Sequence, residues 1–221
     1  MDENLRATYR LKLEKTAKAL EKNNMQAFVC ENSAEVCSLV SELLREGEQI
    51  SCGGSMTLVK SGVMDIMRSG KYDFIDRAKA SSPEEVGEMY RKAFFCNTYL
   101  SSSNAVTEKG ELYNVDGNCN RVAAITFGPE RVIIIAGRNK VVPDLDAAVS
   151  YVKRVSAPAN AKRLGLDTPC AEIGECAGVN SDNMCTGCKS GSRICCGYVV
   201  TGWQRNKNRI KVILVNEELG Y

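Results

Sequence analysis

The sequence predicts an α/β domain built on a mostly parallel, helix-covered sheet. Helical and extended hydrophobic patterns alternate with short connections from the N-terminus to about residue 100. Val132-Ile133-Ile134-Ile135 is apolar without alternation, as expected of a strand covered on both faces at a sheet's centre. The 221 residues, 44% hydrophobic and 25% charged, have ordinary globular composition and suffice for one sizeable core.

Met1 to Asn24 sets Leu5, Tyr9, Leu13, Ala17 and Leu20 among charges and reads as an amphipathic helix ended by Asn23-Asn24. Met25 to Cys30 follows as a short buried strand. Asn32 or Ser33 can cap a second helix through Leu44, stopped before Gly47. Gln49 to Cys52 is a strand running into Gly53-Gly54-Ser55, and Ser55 can cap a helix to Arg68, closed by Gly70. Tyr72 to Ile75 reads as strand. Pro83-Glu84-Glu85 opens a helix with acids where the helix dipole favours them. Thr98 to Leu100 returns as strand.

Beyond residue 104 the texture changes. Asn104 to Leu112 reads as a hairpin turning at Lys109-Gly110, and Asp116-Gly117-Asn118 as a second turn. Arg121 to Phe127 and Arg131 to Ala136 are expected strands, Leu145 to Val155 a helix and Lys211 to Val215 a final strand. Residues 156–196, rich in Gly, Ser, Asn and Cys, lack periodicity, which in a compact domain marks a functional or stapled segment. With no internal repeat and no linker, the expectation is a single domain over 1–221.

Lys+Arg exceeds Asp+Glu by 29 − 27, a net charge of +2, which gives no field for nucleic acid. No apolar run is long enough to span a bilayer, and the charged N-terminal stretch has no apolar core of a signal peptide. A cytoplasmic protein with reduced thiols is expected. The chain has eleven cysteines and no histidine. A Ser-His-Asp triad, a Cys-His pair and an HExxH zinc site are therefore excluded, and any metal must be held by thiolates or carboxylates.

Cys30, Cys37, Cys52, Cys96 and Cys119 are scattered in or beside apolar stretches, as small buried hydrophobes are. The other six fall within Cys170–Cys196. Cys185-x2-Cys188 can bring two sulfurs to one metal from a tight turn eased by Gly187, and Cys170 and Cys195 can complete a four-thiolate shell, with Cys176 as a substitute. Lys189 and Arg193 offset the thiolates' charge. Thiolate-only ligation suits zinc or an iron–sulfur cluster, and the spacing does not separate the two; disulfides and free thiols are the readings without metal. Gly53-Gly54-Ser55, between strand and helix, can cradle a phosphate or carboxylate, or simply make a tight turn. Glu108 lies between two short strands, with Arg121 and Lys140 as possible anion partners. Asn139-Lys140 lies beyond the apolar strand, where open α/β sheets bind ligands.

Several of these segments together resemble the LUD family, the lactate-utilisation domain proteins. The resemblance rests on Gly53-Gly54-Ser55, on Asn104 to Glu108 followed by Asp116-Gly117-Asn118 and Asn120 to Ala124, and on Gly128-Pro129 through Gly137 to Lys140. Thr168 to Ala171, Arg193-Ile194-Cys195 and Arg209 to Val212 with Asn216-Glu217 resemble short members. It implies a doubly wound sheet like that of the sugar-phosphate isomerase and CoA-transferase group. It also implies a link to L-lactate oxidation to pyruvate, where related subunits work in iron–sulfur complexes. The wide Cys176-x8-Cys185 spacing departs from the more compact pattern expected of the family.

The expected site is one cleft lined by Gly53, Gly54, Ser55, Glu108 and Asn139 or Lys140, with Arg121, binding a small carboxylate or phosphate. Glu108 would act there as base or nucleophile. A redox accessory subunit, working with partner redox subunits or as a homo-oligomer, is the leading functional expectation; no flavin or nicotinamide fingerprint is present, so a partner must take the electrons. A non-redox enzyme on a phosphorylated or carboxylated small molecule and a zinc-stapled binding protein are the alternatives.

Overall fold

The computed structural model describes residues 2–221. The chain opens with α1 (Glu3–Lys22), capped by Asp2, whose carboxylate accepts the Leu5 amide at 3.0 Å. It continues through β1 (Gln26–Cys30), α2 (Ser33–Leu43) and β2 (Gln49–Cys52). Asn32 caps α2 by accepting the Glu35 amide. The single helix expected over 55–68 is two short ones, α3 (Met56–Lys60) and α4 (Val63–Met67). Gly62, at φ +77°, breaks them apart in a left-handed conformation other residues rarely adopt.

Next come β3 (Asp73–Ile75), α5 (Pro83–Lys92), β4 (Thr98–Ser101), β5 (Ala105–Thr107) and β6 (Leu112–Asp116). The expected strand over 121–127 is instead a helix, α6 (Asn120–Thr126). Asp116 decides this locally: its Oδ2 accepts the amides of Arg121 and Val122 at 3.1 and 3.2 Å, satisfying donors that a helix start leaves open. Val122, Ala124 and Ile125 then go into the core.

The chain proceeds through β7 (Arg131–Gly137), β8 (Val141–Val142) and α7 (Leu145–Tyr151). A π-helical turn over Val152–Ser156 joins α7 to α8 (Ala157–Arg163), so the helix expected to stop at Val155 runs on. After α9 (Pro169–Ile173) the chain is irregular until β9 (Gly197–Thr201), and β10 (Ile210–Val215) closes the fold.

Six strands form a parallel sheet in the order β1-β10-β7-β4-β2-β3. Strand β7 lies inside it, as its unbroken apolar run requires. Its alternate residues face opposite layers. Val132, Ile134 and Ala136 pack with Leu13, Ala17 and Leu20 of α1, whereas Ile133 and Ile135 pack with α2, α3 and α4 through Val36, Leu58 and Val63. The fold is thus α/β with helices on both faces of a mostly parallel sheet. A second sheet, β8-β5-β6-β9, holds the expected hairpin, with Ala105 opposite Tyr113 and Val106 opposite Leu112. Strand β9 pairs antiparallel to β6 and returns the cysteine-rich segment to the body. Among the described residues no helix is long and apolar enough to cross a membrane.

Candidate functional site

A cleft of about 400 Å³ opens at the carboxyl ends of the parallel strands. Gly54 and Ser55 reach it from β2, Ser102 and Ser103 from β4, and Lys140 from the turn after β7. Strand ends collect ligands in such sheets because loops diverge there and leave a crevice.

Lys140 is 3% exposed. Its Nζ donates to Thr57 Oγ1 and Ser102 Oγ, both at 3.0 Å, and to the Ser103 carbonyl at 3.3 Å. The Thr57 hydroxyl donates in turn to the Leu219 carbonyl, and the Ser102 hydroxyl to that of Ser103. Both hydroxyls therefore accept from Lys140, which holds three protons in this arrangement. Burial, helped by the nearby Arg121 charge, pushes its pKa down to about 7.

Arg121 is the brace of the cleft. It donates through Nη1 to Ser102 O (3.1 Å) and Asn114 Oδ1 (2.5 Å), and through Nη2 to Asn104 Oδ1 (2.9 Å) and Val115 O (2.8 Å). Its Nε lies 3.7 Å from Asp116 Oδ2. Burial lowers its pKa, opposed by Asp116. Asp116 is thus the carboxylate beside Arg121, and with buried Lys140 the floor carries surplus positive charge.

The glycines make room for this arrangement. A Cβ at Gly53 would meet Arg121 Cδ at 2.9 Å and the Tyr99 hydroxyl at 3.2 Å, so Gly53 lies against the brace behind the cleft. A Cβ at Gly54 would collide with Arg77 Nη2. Ser55 lines the cleft, and its Oγ caps α3 by accepting the Leu58 amide at 3.3 Å.

Two expected members lie elsewhere. Glu108 pairs with Lys12 at 3.0 Å and Lys15 at 3.8 Å, on the side of the second sheet that faces α1, and does not line the cleft. Its position at the end of β5 turns it toward α1, because the hairpin leaves the parallel sheet there. Asn139 binds the C-terminal segment instead, accepting the Leu219 amide at 3.0 Å and donating to Gly220 O at 3.1 Å. Arg77, Ser156 and Tyr221 line the cleft without having been singled out in the sequence. Each follows or interrupts an element whose exact end the hydrophobic pattern does not mark.

A second, apolar cavity lies beside the cleft, lined by Cys170, Cys176, Cys188 and Cys195 with Val152, Ala157 and Met184. Cys185, expected as a ligand, is exposed outside the lining, and Cys176 stands in its place. The long Cys176-x8-Cys185 connection is what frees Cys185 from the ring. Burial and the neighbouring thiols Cys176, Cys170 and Cys188 push the Cys195 thiol up to about 12. Two cations hold the surrounding loop. Arg193 donates to the carbonyls of Cys195, Cys188 and Cys185 at 2.8, 2.8 and 2.9 Å. Lys153, on the π turn, donates to the carbonyls of Gly178 and Asn183 at 2.8 and 3.0 Å. The Gly178 amide donates to Cys176 Sγ at 3.4 Å.

Among the described residues no three cysteine, aspartate or glutamate side chains converge closely enough to hold a metal ion. Single-ion zinc ligation needs sulfurs about 2.3 Å from one point. Here four cysteines line one cavity, so the group to weigh is a multi-iron cluster rather than a single ion. The donor set fits such a group in kind: thiols, an apolar wall, an amide on sulfur and adjacent cations. A bound cation would also favour the Cys195 thiolate that burial opposes. Arg193 and Ile194 line both the cysteine cavity and the cleft, so one wall separates them.

Fold and site together define an α/β protein with a cationic strand-end cleft backed by a ring of cysteines. The LUD domain profile matches residues 13–215, and the chain belongs to the LUD domain family. A crystal structure of a DUF162 family protein from Deinococcus radiodurans is similar in fold, with TM-score 0.53 and 12% identity over 95% of this chain and 98% of that one. Ribose 5-phosphate isomerase A from Neisseria gonorrhoeae matches 51% of this chain and 54% of its own at 16% identity and TM-score 0.34. No curated protein matches the chain.

Proposed function

We propose that this LUD-domain protein is an accessory redox subunit in the oxidation of L-lactate, or another 2-hydroxy acid, to the 2-oxo acid. The cleft holds the small carboxylate or phosphate ligand, and Cys170, Cys176, Cys188 and Cys195 hold an iron–sulfur centre. The observation that carries this reading is the wall of Arg193 and Ile194 common to both cavities. Such a centre supplies one-electron transfer. The oxidation releases two electrons and two protons, so a partner subunit bearing a two-electron acceptor completes the reaction.

The chain's own residues bind and orient. Lys140 and Arg121 supply positive potential to the cleft floor, and Arg193 fixes the carbonyls of Cys195, Cys188 and Cys185 in the surrounding loop. A cytoplasmic setting keeps the thiols reduced. A zinc staple is the alternative occupant.

The test is spectroscopic. The reduced, anaerobically prepared protein is titrated with pyruvate while its electron paramagnetic resonance spectrum is recorded, with calorimetry as the independent measure of binding. A spectrum that changes in step with binding supports the reading. Saturable binding that leaves the spectrum unaltered contradicts it.

A further inference from the structure

The turn Asp116-Gly117-Asn118 borders the cleft. Among the described lining residues Asp116 carries the one acidic side chain, set against the cations Arg77, Arg121, Lys140, Arg163 and Arg193. That excess draws in an anionic ligand, and a carboxylate in its midst weakens the attraction. Asp116 is engaged through one oxygen only. Its Oδ2 accepts the amides of Arg121 and Val122 at 3.1 and 3.2 Å, and its main-chain carbonyl accepts the Cys196 amide at 3.0 Å. Its Oδ1 accepts no hydrogen bond among the described residues and stays accessible, the side chain being 10% exposed. The carboxylate is held still with one acceptor open to the cleft.

Asn104, also in the lining, is its counterpart. Its Oδ1 accepts the Val115 amide and Arg121 Nη2, both at 2.9 Å. Two donors on that oxygen fix the amide's orientation and leave Nδ2 as an accessible donor with no partner among the described residues. Arg121 Nε and Nη2 share one edge of the guanidinium, so the edge that holds Asn104 also faces Asp116 Oδ2, 3.7 Å from Nε. An open acceptor and an open donor are thus mounted on one brace. An alcohol oxygen satisfies both, donating to Asp116 and accepting from Asn104. A ketone oxygen can only accept, and at Asp116 it would set lone pair against lone pair.

We propose that Asp116 is the specificity-determining residue of the cleft: it accepts a hydrogen bond from the ligand's 2-hydroxyl, so the cleft selects a 2-hydroxy acid over the 2-oxo acid. Asn104 donates to the same hydroxyl oxygen, and the ligand's carboxylate lies in the positive potential of Arg121 and Lys140. This rests on the reading of the cleft as the ligand site and names the oxidation state that it prefers. The neighbouring glycine sets the direction. A Cβ at Gly117 would lie 3.4 Å from Ile194 Cα, so the turn rests against the wall common to both cavities. The hydroxyl-bearing carbon is then held on the side of the cleft nearest the cysteines.

Calorimetry with L-lactate, pyruvate and the methyl ether of L-lactate tests the proposal, using wild type, Asp116→Asn and Glu108→Gln. The ether keeps the oxygen and loses its proton. Wild type is expected to bind L-lactate more tightly than either other acid by a factor of about ten or more, since a site built for a hydroxyl rejects ligands that lack it. In Asp116→Asn the amide oxygen can still accept the two amides at the start of α6, while the open position becomes a donor. The preference for lactate over pyruvate then falls to one or reverses. Glu108→Gln, outside the cleft, keeps the wild-type preference. Equal wild-type affinity for L-lactate and pyruvate, or for L-lactate and its ether, overturns the proposal while leaving the cleft as an acid-binding site; neither comparison depends on a variant that folds. A loss in Asp116→Asn that weakens lactate and pyruvate alike overturns the specificity role. Failure of all three acids to bind at millimolar concentration overturns this proposal and the cleft reading together.

Discussion

Replacing Lys140 by methionine removes a buried ammonium with little change in shape, and the structure sets the sign of the result. Lys140 falls from its ordinary 10.5 to about 7 on folding. At about 1.4 kcal/mol per pKa unit, the charged form is disfavoured in the folded protein by roughly 5 kcal/mol. That penalty is full below pH 7, shrinks as pH rises through the folded value, and is gone above the unfolded value. Opposing it are three hydrogen bonds lost by the variant, about 1 kcal/mol each, since Thr57, Ser102 and Ser103 O keep another bond. Methionine should therefore stabilise the protein by about 2 kcal/mol at pH 6, break even near pH 8 and destabilise it by about 2 kcal/mol at pH 10. Anion binding should weaken at least tenfold at pH 6. Urea unfolding of both proteins from pH 6 to 10, with phosphate calorimetry at pH 6, makes the measurement. A variant less stable at pH 6 than at pH 10 relative to wild type would refute the reasoning.

Arg121→Met should be far more damaging, because it removes four hydrogen bonds from a guanidinium and leaves Asn114 Oδ1 without a partner; a loss of about 3–5 kcal/mol is expected in urea unfolding. Glu108→Gln breaks partly exposed pairs with Lys12 and Lys15, so stability should change by less than about 1 kcal/mol. Its phosphate affinity should match wild type, and a tenfold loss would return Glu108 to the site. Cys176→Ser should lower the iron content of anaerobically purified protein, whereas Cys185→Ser should retain it; the reverse outcome would restore the sequence-based ligand set.

The sheet was legible because its signals are local. An apolar run such as Val132–Ile135 can be satisfied only inside a sheet, and Asn32 and Ser55 announce helix starts by side chains that accept amides. The segment 121–127 misled because Val122, Ile125 and Phe127 suit a strand locally, while the deciding group, Asp116, lies four residues before the helix and acts through space. The long helix ending in α8 was obscured by the π turn, which shifts the apolar stripe out of its 3.6-residue period. In the cleft, Gly54, Ser55 and Lys140 could be anticipated from strand ends. Arg77 could not, since an arginine after a short edge strand is ordinarily a solvated residue. Its one signal is the adjacent glycine pair, which leaves room for a side chain arriving from elsewhere in the sequence.

The central claim is that four partly buried cysteines beside an anion cleft hold a redox centre. Metal and acid-labile sulfide analysis of anaerobically purified protein, with its visible spectrum, tests this most directly. Iron and sulfide in comparable amounts, with a broad visible absorbance bleached by reductant, are predicted. A colourless protein with about one zinc per chain, or with neither metal, would contradict it.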